Sequence, residues 1–542
     1  LSAATGAAPP GAPPTAPAGA SPAAPGAEAP IPWLGLTAVL LGTFISTLTG
    51  RLSNFGLTDI RGAVHAGFDQ GAWITTSFTA AQMLVTPFAV WIGSMYGPRR
   101  ILMLAASTFA ISSAVTPLAL NLTTLLALQF VSGLASGCFI PLTLSFVLRV
   151  MPPRLWAYGI ALYALNLELS LNISASLEGW YVDNLSWHWI FWQNVPLALA
   201  MAACLRWGVK HQPAPKDIHR DIYGLSSYGI GFALIYAALD QGNRLDWLNS
   251  GLIWGLLLAG LIMLGAFLIH EKTTPFPWLD LKVALRWPLP LLLMMISILR
   301  LTILSTAFLI PYYLGGVRGF RALQVGDTLI WIAMPQLILC PLAALMLRRF
   351  DPRITAGLGL SMVGFACMSV AYALTPSWGS DQFLPSQIMQ AVGQSFALSG
   401  IVFVGVLNLR LQDALTFGAM LQTARLFGGE VGTAFIATMA RLREQRASNI
   451  IGQHVQRGTL ETQHRLQVYG HVIARGGHPA TAAPAVLANV VRVVATTQAT
   501  IDSFVGVAVF ALVGLVVLVI ILPPPPRTPA SYTPLFHRKP AE

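Results

Sequence analysis

Six ionisable residues stand where a charge is hardest to keep. Arg51, Glu168, Glu178, Arg300, Arg425 and Glu430 each interrupt a run of otherwise apolar side chains. In hydrocarbon, a charge at mid-depth costs roughly 2.5–3.5 kcal/mol. Facing lipid, the six together would cost about 15–20 kcal/mol, more than the net stability of a typical domain. They must therefore face an interior. There a carboxylate can take up and release a proton, and a guanidinium can grip a carboxylate through two parallel hydrogen bonds. Glu178, Glu168 and Glu430 are the candidates for proton exchange. Arg51, Arg300 and Arg425, with Asn54 beside Arg51, are candidates for lining a substrate cavity. Arg300 is the most pointed of them, lying about fourteen residues into its run, near mid-depth. The competing reading is that three acids and three bases pair off and lock helices together.

Two neutral patterns join the charged set. Gln387, Gln390 and Gln394 recur at intervals of three and four, so they share one helical face. They either hydrogen-bond to a neighbouring helix or offer neutral donors and acceptors to a cavity. Asn166, Glu168, Ser170, Asn172, Ser174, Ser176 and Glu178 alternate with apolar residues, a period that alone suggests a strand. An open strand edge cannot face lipid. The segment is therefore predicted to be a helix polar on two faces, set between a cavity and a neighbouring helix.

Composition identifies the elements that must carry these residues. Of 542 residues, 55% are hydrophobic and 10% charged, with mean hydropathy +0.65; an ordinary soluble domain has about 25% charged residues. A soluble enzyme is excluded. Apolar runs long enough to cross a bilayer as helices lie near 33–56, 72–95, 99–120, 123–150, 156–182, 187–208 and 222–241. They continue near 249–270, 287–314, 324–347, 354–375, 383–409, 414–440 and 500–522, fourteen in all. The fold class is an all-α integral membrane protein. The four cysteines (Cys138, Cys204, Cys340, Cys367) sit inside these runs at unrelated spacings and read as small buried hydrophobes. Neither a phosphate loop, a nucleophile elbow nor a metal-ligand cluster is visible, so neither catalysis nor a cofactor is expected.

The net charge of +11 does not point to nucleic acid, because Lys and Arg form small groups between the runs. Arg99–Arg100, Arg149/Arg154, Lys210/Lys216/Arg220, Lys272/Lys282/Arg286, Arg348/Arg349/Arg353 and Arg410 fall in every second connection. The connections at 121–122, 183–186 and 376–382 carry none. This alternation predicts that both termini are cytoplasmic; Arg318 and Arg321 are its main exceptions. Residues 1–31, rich in Ala, Pro and Gly, and the tail 523–542 are expected to be disordered. The first of these lacks the basic and apolar regions of a signal peptide. Residues 441–499 are polar and expected to form a long extracytoplasmic loop with a helical stretch near 455–475.

Four strings carry a family resemblance. WIFWQNVP at 189–196 follows Asp183-Asn184 at the entry to the sixth run, and LDQGNRLDW at 239–247 closes the seventh. YGPRR at 96–100 follows the second run, and Gly133 and Gly137 precede IPLT at 140–143 in the fourth. From about residue 33 to 522 the chain resembles the major facilitator superfamily, in particular its fourteen-helix drug:proton antiporter branch typified by EmrB and QacA. The resemblance implies two six-helix bundles, at 32–209 and 272–522, rocking about a central cavity. Residues 210–271 would supply a cytoplasmic connection and two additional helices. It further implies a cytoplasmic gate at Gly97, Arg99 and Arg100, echoed by Asp351 and Arg353 in RRFDPR (348–353) after the tenth run. Arg425 stands where this branch often has Arg.

Departures from the family pattern concern coupling. Thr49 stands where the first helix of the family usually has Asp, and Arg51 is added. Ser94 and Met95 replace an Asp-Arg pair, Gln129 replaces an Arg, and Ser174–Gly179 keeps only the last glycine of the antiporter motif. The usual proton-linked residues are therefore not carried over.

The leading reading is a secondary transporter of the cell (inner) membrane that exports small organic molecules, drug-like or anionic, against protons by rocker-switch alternating access. Glu178 or Glu168 would carry the proton. In a Gram-negative cell, the resemblance implies a periplasmic adaptor and an outer-membrane channel as partners. An importer or uniporter of the same fold, and a non-transporting membrane scaffold or sensor, are the alternatives.

Overall fold

A helix satisfies its backbone hydrogen bonds within its own segment, so an apolar chain in lipid has little choice of structure. The computed structural model describes residues 33–209, 221–275, 277–279, 284–408, 414–455, 459–473 and 479–522. The two tails predicted to be disordered lie outside the described residues, as do the basic positions Lys210, Lys216, Arg220, Lys282 and Arg410. Among the described residues there is no strand.

Helical rods occupy all fourteen expected segments. The first six are α1 (Trp33–Phe55), α2 (Trp73–Tyr96), α3 (Pro98–Val115), α4 (Leu122–Ser136, continuing as Phe139–Val150), α5 (Trp156–Asn184) and α6 (Asn194–Gly208). Two more, α7 (Ile222–Gly242) and α8 (Gly251–Thr273), come between the bundles in chain order. In the second bundle, α9 runs Leu289–Leu304, passes a π-helical turn at Ser305–Leu309 and resumes as Ile310–Arg318. It is followed by α10 (Ala322–Arg349), α11 (Pro352–Ala373), α12 (Ser380–Leu407), α13 (Ala414–His454) and α14 (Pro479–Val516). Twelve of these rods are long and apolar enough to cross a membrane on their own account; α6 and α13 are the other two.

Local chemistry sets the ends. Gly97 adopts φ +85°, a conformation glycine takes without strain, and Pro98 then opens α3. Asp221 accepts the Gly224 amide at 2.9 Å to start α7, and Asp351 accepts the Arg353 amide at 2.8 Å to start α11.

The alternating polar residues of α5 do lie on a helix, and their partners explain the pattern. Asn166 donates to the Leu40 carbonyl of α1 at 2.9 Å. On another side, Asn172 donates to Gln394 of α12 at 3.0 Å, and Ser176 donates to the Gly326 carbonyl of α10 at 3.0 Å. Ser170 and Ser174 turn back to carbonyls three residues earlier. So α5 ties α1 to the second bundle.

One end of the bundle interface is apolar. Ile140, Leu144, Ile160, Leu167, Leu299, Leu398, Ile401 and Phe417 form part of a single buried cluster drawn from both bundles. Glycines allow this approach: a Cβ on Gly418 would lie 2.7 Å from the Pro141 carbonyl oxygen. The long polar segment is more helical than expected. α13 continues to His454, a helix follows at Leu460–Ile473, and α14 begins at Pro479. Arg443 of α13 pairs with Asp502 of α14 at 3.4 Å.

Candidate functional site

A cavity of about 450 Å³ lies among α1, α2, α7, α9 and α13. Its lining comes from the last turns of α1 (Arg51, Asn54, Phe55) and the first turns of α2 (Thr75, Thr79, Gln82), so it sits away from the Gly97 turn. α7 packs against both α2 and α13 and adds Tyr236 and Asp240; α9 adds Arg300. Arg425 and Glu430 come from α13.

Three guanidinium groups share this space. Arg51 donates to the Ala307 carbonyl at 2.8 Å, its guanidinium lies 5.2 Å from the Phe55 ring, and its Nε has no partner. Arg425 Nε donates to Gln422 Oε1 at 3.0 Å. Arg300 lies beside Gly429, and its Nε has no partner. Arg300 is close enough to repel both Arg51 and Arg425. The glycines hold α13 near α9: a Cβ on Gly432 would lie 2.9 Å from Leu304, and one on Gly428 would strike Ser297.

Two carboxyl groups line the same cavity. Asp240 accepts from the Thr76 hydroxyl and, at 3.1 Å, from Gln241 Nε2. Glu430 lies beside Tyr236, is 7% exposed and leaves Oε1 without a partner. Asp240 and Glu430 are close enough to repel each other.

Among the described residues, none of the six charges read from the sequence forms an ion pair with another. Four of them, Arg51, Arg300, Arg425 and Glu430, meet at the cavity with Asn54. Glu168 is buried one turn from the lining residue Leu171, in the fields of Arg300 and Arg425, with neither carboxyl oxygen partnered. Glu178 lies elsewhere, beside Gly56 with Asp59 and Asp183 as its neighbouring charges.

The glutamine face turns to neighbouring helices. Gln390 donates to Ser305 and Gln394 to Thr306, each at 3.0 Å, while Gln387 donates to Ser386. Thr49 donates to Asn194 Oδ1 at 3.1 Å, and Gln129 is buried with both amide atoms unpartnered.

At the Gly97 end, Arg99 donates to the Arg206 carbonyl at 2.8 Å, a contact within the first bundle. Arg353 donates to the Val519 carbonyl at 3.2 Å within the second. At this end Arg348 makes a contact between bundles, its Nη1 donating to Tyr158 Oη at 3.0 Å. In the sequence, Arg348 stands out only as a basic position of the RRFDPR string, whose expected gate residues are Asp351 and Arg353, and Asp240 only as part of a turn. The signal for Asp240 was present: Tyr236 and Asp240 stand four apart within the apolar segment Ile222–Gly242, hence on one face.

Residues 39–436 match the model of the Major Facilitator Superfamily. The chain belongs to this superfamily. It is 28% identical over 425 residues to the probable multidrug resistance protein EmrY of Escherichia coli K12, covering 76% of this chain and 81% of that one. It is 26% identical to the multidrug export protein EmrB of Haemophilus influenzae, covering 77% of this chain and 82% of that one. These relatives agree with the antiporter branch that the motifs resemble. Among solved structures, the human organic anion transporter MFSD10 (TETRAN) superposes with a TM-score of 0.56 at 12% identity, covering 90% of this chain and 98% of that one. The proton:xylose symporter XylE gives 0.54 at 11%, covering 91% and 96%. The superfamily member described here is a multi-pass membrane transporter of small molecules.

Proposed function

We propose that this transporter exports small organic molecules in exchange for protons, by alternating access of the cavity between its bundles. The observation that carries the reading is a buried carboxyl group, Glu430, in the wall of that cavity. The sign of coupling favours Glu430 over the acids of α5. Export against an inward proton flow requires proton and substrate to exclude one another. An acid facing the substrate does this directly. Glu168 would do the reverse: protonated, it frees Arg300 and Arg425 for an anion, so proton and anion would travel together.

The basic connections favour a cytoplasmic Gly97 end, and α6 and α13 complete a fourteen-span chain with both termini inside. The apolar cluster then closes the cytoplasmic side, and the cavity faces outward. The resemblance to the EmrB-like branch implies an inner-membrane location and, in a two-membrane envelope, an adaptor and outer channel as partners. Reconstitution into vesicles tests the reading. An imposed proton gradient should drive ethidium or Nα-dansyl-lysine against its own gradient and opposite to proton flow, above protein-free vesicles. Flux along the proton gradient would mark an importer; gradient-independent equilibration would mark a uniporter.

A further inference from the structure

Resting on the transport reading of the same cavity, we propose that the cavity is bipolar and takes zwitterionic small molecules. Arg51, Arg300 and Arg425 receive a carboxylate or similar anion, and Asp240 with Glu430 receive an ammonium or similar cation.

Each pole lacks something that a ligand would supply. Arg300 repels both its neighbours, and no acid lies within ion-pair distance of the three bases among the described residues. A concentration of like charge in a low-dielectric wall draws a counter-charge. Glu430 is more than nine-tenths buried, lines the cavity and leaves Oε1 unpartnered. Its neighbour Asp240 is also an acid, and a cation between them relieves their repulsion. Arg244, whose charge reaches Asp240, is itself paired with Asp69 at 2.6 Å. The groups that α2 adds to the lining, Thr75, Thr79 and Gln82, are neutral.

The poles do not cancel because the helix separates them. Arg425 and Glu430 are five residues apart on α13, which places them about 7.5 Å apart along the axis and about 140° apart around it. A ligand with one charge leaves the other pole uncompensated, whereas a zwitterion satisfies both. A cavity of about 450 Å³ lies in the range that holds drug-sized ligands.

Three probes on one scaffold test this. Nα-dansyl-lysine carries a carboxylate and an ammonium; its methyl ester keeps only the ammonium, and its Nε-acetyl derivative only the carboxylate. Binding to the full chain in detergent is followed by dansyl fluorescence. The zwitterion should bind at least tenfold more tightly than either derivative. Asp240→Asn and, independently, Glu430→Gln should remove its advantage over the Nε-acetyl derivative. Arg300→Gln should remove its advantage over the ester. Size-exclusion chromatography checks that each variant is folded. Equal affinity for the three probes, or binding of none, overturns the proposal. So does a change in pH dependence with probe preference intact, since the acids would then serve protons alone. Gradient-driven transport without zwitterion preference would refute this inference and leave the export reading standing.

Discussion

Arg348 of α10 donates to the hydroxyl of Tyr158 on α5 at 3.0 Å, and its guanidinium lies 5.3 Å from the centre of the same ring. This contact joins the bundles at the end opposite the cavity, so it must break if they part there. A hydrogen bond to a charged group contributes about 1.5–3 kcal/mol. Tyr158→Phe keeps the ring and removes the acceptor. It should raise the population of the state open at this end by about tenfold. A single cysteine at Ile401, within the apolar cluster, should then label faster in a cysteine-free background; unchanged labelling would show that the contact does not hold the gate.

Arg99→Ala serves as the contrast. Its bond to the Arg206 carbonyl stays within one bundle, so its loss should lower thermal stability by about 1 kcal/mol without changing the labelling rate at Ile401. A change in that rate would return Arg99 to the gate.

The glutamines of α12 are expected to act on stability. Gln390 bonds Ser305 and sits near Cys367, buried between helices. Gln390→Ala should remove the bond Ser305 accepts, while the Ser305 hydroxyl keeps its bond to the Thr302 carbonyl, and leave a small cavity, costing about 1–3 kcal/mol, seen as a lower melting temperature, with the affinities of the dansyl probes unchanged. Altered probe affinity at full stability would place this residue at the substrate instead.

Close packing yields a further contrast. A Cβ on Gly326 would lie 2.5 Å from Ser176 Cα, whereas Gly255 on α8 has nothing within 4 Å. Gly326→Ala should destabilise by about 1–3 kcal/mol through overpacking. Gly255→Ala should be neutral or gain up to about 1 kcal/mol of helix preference. Thermal unfolding of the two variants measures the difference, and equal stability would contradict the α5–α10 contact.

Much of this architecture is legible in the sequence because lipid leaves few options. A run of twenty apolar residues has to be a helix, and that logic holds even for α5, where alternation mimics a strand. What each polar residue touches is not legible. The three-and-four spacing of Gln387, Gln390 and Gln394 gives a shared face but not the neighbours it meets, and Gln390 meets α9 and α11 while Gln394 meets α9, α5 and α10. Asp240 was hidden by its place in a turn-like string, although the helix runs past it to Gly242. The segment after Arg441 reads as loop because it is polar, yet its Ala, Leu, Arg and Glu are good helix formers, and α13 continues through them to His454.

The central claim is that proton and substrate exclude one another at Glu430. It is tested most directly by adding Nα-dansyl-lysine to the purified full-length protein in weakly buffered detergent solution and following pH with an indicator dye. Wild-type protein should release protons as the probe binds, across the pH range in which Glu430 is protonated. Glu430→Gln should bind the probe with little or no release. Proton uptake on binding, or release of equal size from the Glu430→Gln variant, would contradict the account.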